Sequence, residues 1–158
     1  MSDPKSASPV LFFDSSALIS GVISSGGGAR ALLLLAEAGL VTIMISEQVI
    51  VESERALARK AAASLPYYRA ALRASNLRIM ANPSQNDLVP HEGVIGHSAD
   101  VPIVVAAIRA EVDYLVTLNR KHFIDDPNVA ARSGLRIGTP GDALAWLREG
   151  ILKDRDNV

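Results

Sequence analysis

The stretch VLFFDSSAL, residues 10–18, decides the fold, because four consecutive apolar residues end there at Asp14. A short apolar run of this kind is typical of a strand that is buried on both faces of a parallel sheet. The carboxylate that follows has two interpretations. Asp14 can cap a helix, which is the common role of aspartate at such a position, or it can anchor a functional site at the edge of the sheet. On this stretch alone the capping role is favoured.

The order of elements around this strand predicts an α/β protein. Because strands that alternate with helices need crossover connections, the sheet should be mostly parallel and covered on both faces. We therefore predict a three-layer α/β/α sandwich with about five strands, in which function collects at the carboxyl ends of the strands. The predicted strands are PVLFF, LVTIMI, LRIM, YLVT and RIG, and the predicted helices are ARALLLLAEAG, Ser46 to about Lys60, PYYRAALRAS, residues 100–111 and GDALAWLREG, with a polar loop over residues 81–98.

Length and composition indicate one globular domain. The 158 residues divide into a loose tail over residues 1–8, a domain over residues 9–150 and a flexible tail over residues 151–158. The chain has 16 basic and 17 acidic residues, so any affinity for nucleic acid must come from local patches. The absence of cysteine from the sequence excludes disulfides and thiolate metal sites and fits a cytoplasmic location. Its apolar runs are too short for a signal peptide or a bilayer span, so we expect no membrane partner.

Asp100 is the second acid that the pattern singles out. When residues 100–111 are placed on a helix, Asp100 lies on the same face as the apolar residues Ile103, Val104 and Ala107. A carboxylate on the face that packs against the sheet must find a partner or a cation. For Asp100, a functional role is therefore favoured over capping.

Glu52 and Glu54 flank the apolar face of the helix that begins after Ser46, one on each side, and periodicity does not choose between them. By spacing alone, each is more typical of a solvated flank than of a ligand. Acids that converge from separate segments would suit Mg²⁺, a hard cation that takes oxygen ligands. Such an ion can activate water and balance the charge that builds on a phosphodiester.

Four segments of the chain bear on its family: VLFFDSSALIS (10–20), SEQVIVESERAL (46–57), SADVPIVVAAI (98–108) and YLVTLNRKHF (114–123). In order and spacing they resemble the signature segments of PIN domains (PilT N-terminus-like proteins), and the resemblance extends over about residues 9–147. It implies an Mg²⁺- or Mn²⁺-dependent ribonuclease, similar to the VapC-type toxins of bacterial toxin–antitoxin pairs, with an antitoxin as a partner and a homodimer as a common state.

The resemblance assigns the catalytic and metal-binding roles to Asp14, Glu52 and Asp100. Asp14 matches the family's first-strand aspartate, and Asp100 matches the aspartate that opens the later helix. Glu52 matches the helix glutamate, because it comes six residues after Ser46 and five before Leu57. This match separates Glu52 from Glu54.

Ser16, Thr117 and Asn119 complete the matched positions. Ser16 stands where many members have a small polar residue that supports the first aspartate, and Thr117 matches the threonine that ends the fourth strand. Asn119 falls where many members have a fourth acid, so it offers a neutral amide oxygen to a metal ion. We expect three negative charges in place of four and weaker metal binding as a result. His122, three residues on, is interpreted as a turn residue, with contact to a phosphate as the alternative.

A basic segment over residues 55–78 contains six basic residues and no acid. Basic groups hold the phosphate backbone of RNA, and aromatic rings stack on unpaired bases. We predict RNA contacts here, with Tyr67 and Tyr68 as stacking candidates; the alternative is a solvated helical surface with two core tyrosines. The residues assigned to RNA are Arg55, Arg59, Arg69 and Arg73.

The segment HEGVIGHSAD offers His91, His97 and Asp100, which together suggest zinc. The two histidines lack a helical spacing, so we interpret them as loop residues near the mouth of the cleft.

The leading prediction is a divalent-metal-dependent endoribonuclease that acts as a toxin. The alternative is a PIN-like module that binds RNA or a partner protein without turnover, and Asn119 is the residue that favours it. A phosphate-accepting signalling domain is discounted, because two serines and no second acid follow Asp14.

Overall fold

The computed structural model describes residues 8–157 of the chain. Its centre is a five-stranded sheet in which every pairing is parallel, in the order β3-β2-β1-β4-β5. Helices cover this sheet, which confirms the predicted three-layer α/β/α sandwich. The strands are β1 (Val10–Phe13), β2 (Thr42–Ser46), β3 (Arg78–Met80), β4 (Tyr114–Val116) and β5 (Ile137–Gly138).

The order of strands reverses at β1, since β2 and β3 lie on one side of it and β4 and β5 on the other. Such a switch point opens a crevice at the carboxyl ends of the two central strands, and ligands bind there in open α/β sheets. Phe13 of β1 pairs with Val116 of β4, and the backbone N–H of Asp14 donates to the Val116 carbonyl at 3.2 Å. Asp14 and Thr117 therefore follow neighbouring strands at the same edge.

The helices are α1 (Ser15–Ile23), α2 (Gly28–Glu37), α3 (Glu47–Lys60), α4 (Leu65–Ala74), α5 (Gln85–Leu88), α6 (Val101–Arg109), α7 (Pro127–Ser133) and α8 (Pro140–Asp156). Helices α1, α2, α3 and α4 pack together, α8 packs on α2, and α5 packs on α6. A side chain on Gly21 would bring its Cβ to 2.7 Å from Leu33 Cδ1, so glycine is what allows α1 and α2 to approach closely.

In the described part of the chain, no single helix is long and apolar enough to cross a membrane. Helices α1 and α2, which meet at 86°, pass the length and composition criteria only when they are taken together.

Several local predictions differ from the structure. The pattern missed α1 and α7, which are short and follow Asp14 and Asp126 as N-caps. The segment over residues 81–98 is not simply a polar loop, because it contains α5 and buries Val94 and Ile95. Ser46 does precede α3, but its hydroxyl is buried and forms no hydrogen bond with any described residue.

The closing helix is also longer than predicted. Gly150 was expected to end the domain, but α8 continues through it to Asp156 with exposed side chains. Glycine weakens a helix by only about 1 kcal/mol relative to alanine, which the flanking helix-forming residues offset. The flexibility of residues 151–157 stays a prediction, and residues 1–7 and 158 lie outside the described part of the chain.

Candidate active site

Asp14 lies in the crevice between β1 and β4 with only 6% of its surface exposed. Its Oδ1 accepts hydrogen bonds from Ser16 Oγ at 2.6 Å and from the Ala17 backbone N–H at 2.9 Å. Its Oδ2 accepts from Thr117 Oγ1. The carboxylate therefore caps α1 and also occupies the switch point of the sheet, so its two interpretations are compatible.

The environment of Asp14 disfavours its negative charge. Burial raises the pKa of Asp14 above its usual value, and the hydrogen bonds from Ser16, Thr117 and Ala17 oppose that rise. The negative charge of Asp100 raises the pKa of Asp14 further. A cation near Asp14 would therefore offset the cost of burying its charge.

Thr117 and Ser16 tie the turn after β4 to the turn after β1. The buried Thr117 hydroxyl donates to Asp14 and accepts from the Asn119 backbone N–H at 3.0 Å. The Ser16 hydroxyl also donates to Asp14 and accepts from the Leu118 N–H at 3.0 Å. Each hydroxyl thus orients the carboxylate and one backbone group of the neighbouring turn.

Asp100 ends a 3₁₀ turn immediately before α6, and its side chain makes no capping bond with the described backbone. Its Oδ2 lies 2.8 Å from His122 Nδ1 and 3.3 Å from His97 Nδ1. The two imidazole rings stack on each other, with centroids 4.4 Å apart. Asp100 therefore faces two histidines and does not cap α6 with its side chain, while its functional role stays a prediction.

Asn119 positions His122. Its Oδ1 accepts from the His122 backbone N–H at 3.2 Å and so caps a short π-helical turn, Arg120–Ile124. Its Nδ2 lies 3.1 Å from His122 Nδ1. Asn119 is thereby linked to Asp14 through Thr117 and to Asp100 through His122.

Glu52 is half-buried on α3 and is connected to the site through Gln48. Gln48 Nε2 donates to Glu52 Oε1 at 2.8 Å and to the Ala99 carbonyl at 3.2 Å, next to Asp100. Glu54 instead pairs with Arg69 on α4 at 3.6 Å. Of the two glutamates, Glu52 is therefore the one that the structure ties to the segment carrying Asp100.

The tightest group of potential metal ligands differs from the predicted trio of acids. Within residues 8–157, ligand atoms of His97, Asp100 and His122 all lie within 4.8 Å of one another, and Asp14 and Glu52 are not part of that group. Convergence of Asp14, Glu52 and Asp100 around one ion stays a prediction. The sequence grouped His97 and Asp100 with His91, whereas the structure groups them with His122. His122 follows a strand that ends at the predicted functional edge, and this was the available signal.

The residues assigned to RNA lie on α3 and α4. Arg55, Arg59 and Arg73 are exposed, and Arg69 is exposed but paired with Glu54. Tyr68 is fully buried in the core, so the prediction that it stacks on bases is wrong, whereas Tyr67 is 76% exposed.

Comparisons with known proteins place the chain in a family. The model of the PIN domain matches residues 10–121. The chain resembles VapC-containing VapBC2 of Rickettsia felis, solved with a DNA fragment from its promoter, at 21% identity and a TM-score of 0.58, covering 82% of this chain and 98% of that one. It also resembles PAE2754 of Pyrobaculum aerophilum at 17% identity and a TM-score of 0.62, covering 90% and 91%. No curated protein matches. Since the family model matches more than half of its length, the chain belongs to the PIN-domain family.

Proposed function

We propose that the protein is a divalent-metal-dependent endoribonuclease and the toxin of a toxin–antitoxin pair. PIN domains are generally nucleases, which supports the proposal at the level of the family. The observation that carries it is the buried carboxylate of Asp14 at the switch point, whose pKa is raised by burial and by the charge of Asp100.

The residues present suit a hard divalent cation. Asp14, Glu52 and Asp100 would hold Mg²⁺ or Mn²⁺ through carboxylate oxygens, with the Asn119 amide oxygen as a neutral donor. When bound, such an ion supplies Lewis acidity, an activated water and positive charge beside the phosphodiester. Three carboxylates exceed the one or two that Mg²⁺ usually needs from protein.

The chain's own residues keep this carboxylate in place before substrate arrives. Ser16, Thr117 and the Ala17 N–H fix the orientation of Asp14 and leave it almost no freedom to turn. Because the group is already desolvated, it does not have to be stripped of water when RNA binds.

A cleavage assay with a matched variant tests the enzyme. Unstructured RNA is incubated with full-length protein and Mg²⁺ or Mn²⁺, beside Asp14→Asn and the control Asp154→Asn, an exposed aspartate near the end of α8. We expect metal-dependent cleavage that falls at least about 100-fold in Asp14→Asn, since loss of even a supporting group costs 10–100-fold at metal sites. The control should cleave normally.

The alternative function is a module that binds RNA or a protein without turnover, and Asn119 in place of an acid is the residue that favours it. Retained RNA binding without cleavage under either ion would establish this alternative and reject the enzyme.

RNA would be held by Arg55, Arg59, Arg69 and Arg73 on α3 and α4. Helix α3 begins at the carboxyl edge of the sheet, and Arg59 lies about 18 Å along its axis from Glu47. Reversing the charge of Arg73 should lower RNA affinity and flatten its salt dependence by about 0.7 per lost phosphate contact. Reversing Arg69 should have less effect, because Glu54 already engages it. Arg148→Glu on α8 serves as the control, and an unchanged slope in every variant would exclude the surface.

The antitoxin partner would dock in a groove of mixed polarity between α1, α2 and α4. The solved VapBC2 structure is a complex of two proteins, which supports a protein partner here by analogy. The groove has a volume of about 470 Å³ and is bordered by the exposed apolar side chains of Ile23, Leu34 and Tyr67, with Arg30 and Glu37 as charged neighbours. An apolar helix with opposite charges at its edges fits this lining.

Co-expression with a candidate antitoxin, followed by affinity purification, tests the groove. We expect a stoichiometric complex that Leu34→Glu disrupts and Leu152→Glu preserves, since Leu152 is equally exposed on α8 but lies outside the groove. Light-scattering mass measurement of the free chain tests whether it forms a homodimer, which is the other expected occupant of its apolar surface.

We also propose a cytoplasmic location, where an RNA substrate is found, and cell fractionation tests it.

A further inference from the structure

We propose that His97, Asp100 and His122 form a binding site for one first-row transition-metal ion of the Zn²⁺ class. This inference goes beyond the proposed nuclease and stands whether or not the protein cleaves RNA. The site uses two imidazoles that the predicted Mg²⁺ ligand set does not contain.

The spacing of the donor atoms suits a common ion. Asp100 Oδ2 lies 2.8 Å from His122 Nδ1 and 3.3 Å from His97 Nδ1. Ligands bound to zinc at about 2.0–2.1 Å are separated by about 3.3 Å in a tetrahedron. Asp100 Oδ2 is therefore already close to both nitrogens, and the ligand atoms of all three residues lie within 4.8 Å of one another.

Hydrogen bonding alone does not satisfy this cluster. His122 Nδ1 faces the Asn119 amide nitrogen, a donor, at 3.1 Å and the Asp100 carboxylate, an acceptor, at 2.8 Å. One ring nitrogen carries either a proton or a lone pair, so it can serve only one of these neighbours. Asn119 Oδ1 accepts a hydrogen bond from the His122 backbone N–H, and turning the amide over would break that bond.

A cation can replace the proton that would otherwise have to lie between His122 and Asp100, because the lone pairs of both imidazoles and of the carboxylate can then point at the same positive charge. Within the described chain, the Asp100 side chain caps no helix, and its polar contacts are with the two histidines. Asp100 also belongs to the Mg²⁺ ligands proposed above, so the two ions would compete for this carboxylate.

One histidine of the cluster is held by a hydrogen bond, and the other is exposed to solvent. His122 is held by Asn119 and is followed by the buried Phe123, whereas the His97 side chain is 53% exposed. The stacked rings lie within 17° of parallel, so one ring must rotate to aim its lone pair at a shared ion. The exposed His97 has the space to make that rotation, and the solvent side leaves a coordination position open.

The donor set selects the class of metal. Two imidazoles and one carboxylate are the ligands of catalytic zinc sites, in which a fourth position stays open to water. Mg²⁺ prefers oxygen ligands, so the two histidines favour Zn²⁺ over Mg²⁺ at this place.

Isothermal titration of the untagged full-length protein with Zn²⁺ tests the site, because the chain supplies its own control. It contains three histidines, and the third, His91, lies outside the cluster. We expect one Zn²⁺ per chain, weakened at least about 10-fold in His97→Ala and in His122→Ala and unchanged in His91→Ala. Circular dichroism verifies that each variant is folded, and if His122→Ala unfolds, the exposed His97→Ala decides.

Absence of Zn²⁺ binding in the wild type, or an equal loss in all three histidine variants, overturns the proposal. Asp14→Asn separates this outcome from failure of the nuclease, since that variant should lose cleavage and still bind Zn²⁺. Equal affinity of the wild-type protein for Mg²⁺ and Zn²⁺ would also overturn the assigned metal class.

Discussion

Two aspartates at the same edge of the sheet have opposite surroundings. We define the closed half of the site as Asp14 with Ser16 and Thr117, where both carboxylate oxygens accept hydrogen bonds from well-placed donors. The open half is Asp100 with His97 and His122, where one carboxylate oxygen faces two imidazoles. The comparison shows that a position at this edge does not determine how many hydrogen bonds a carboxylate accepts. The number of neighbouring donor groups determines it.

The largest stability effect should come from Thr117→Val in the closed half. The change keeps the shape of the side chain but removes the donor to Asp14 and leaves the Asn119 N–H without its acceptor. A hydrogen bond to a buried charged group contributes about 2 kcal/mol, which corresponds to a fall in Tm of about 4–8 °C. Thermal unfolding followed by circular dichroism measures it.

Asp100→Asn is the matching change in the open half and should alter Tm by less than about 2 °C, since it removes no capping bond. A larger loss in Asp100→Asn than in Thr117→Val would reverse the assignment of the two halves.

Asn119→Asp adds a negative charge between the closed half and the open half, since Asn119 is linked to Thr117 and to His122. We expect the affinity for Mg²⁺ to rise about 10-fold, because a second carboxylate next to Asp100 strengthens the attraction for a cation by about 1.4 kcal/mol. Titration calorimetry measures this affinity, with the exposed Asn128→Asp on α7 as the control. An unchanged Mg²⁺ affinity would show that Asn119 is remote from any bound ion.

The smallest effect concerns Asp142, a carboxylate that serves only as a cap. It lies in the first turn of α8 and accepts from the Thr139 backbone N–H at 3.0 Å, which lowers the pKa of Asp142 below 3.8. A lowered pKa adds stability that is present above the unfolded-state value and is lost as the pH falls through the folded-state value.

Asp142→Ala should therefore lower Tm by about 1–2 °C at pH 7, for about 0.5 kcal/mol after solvent screening of this exposed carboxylate, and by nothing once the pH is below the folded-state pKa of Asp142. Unfolding at a series of pH values measures this, with Asp154→Ala as the control. A difference that persists at low pH would mean that the carboxylate charge is not what stabilises α8.

Much of the fold could be predicted from local patterns. The buried strands at residues 10–13 and 114–116 are continuous apolar runs, and the apolar face of α6 follows a helical period. Helices α1 and α7 were missed because seven to nine residues carry little periodic signal. Which tyrosine of the pair Tyr67 and Tyr68 is buried could not be identified either, since adjacent residues on a helix point in different directions and only packing shows which one is inside.

The candidate site divides in the same way. Asp14, Ser16 and Ala17 interact within four residues, so their arrangement follows from the strand that ends and the helix that begins there. His122 meets Asp100 across 22 residues of chain, and no sequence spacing specifies that contact.

The amino-acid sequence by itself determined the parallel α/β architecture and the edge where polar groups collect, because hydrophobic period and the order of elements are local properties of the chain. Only the tertiary structure decided which polar groups share that edge. The carboxyl ends of β1 and β4 bring Asp14 to Thr117, and the turn after β4 brings His122 to Asp100. The physical reason is that hydrogen bonds and ion coordination act over about 3 Å, whereas sequence order constrains distances only along the chain.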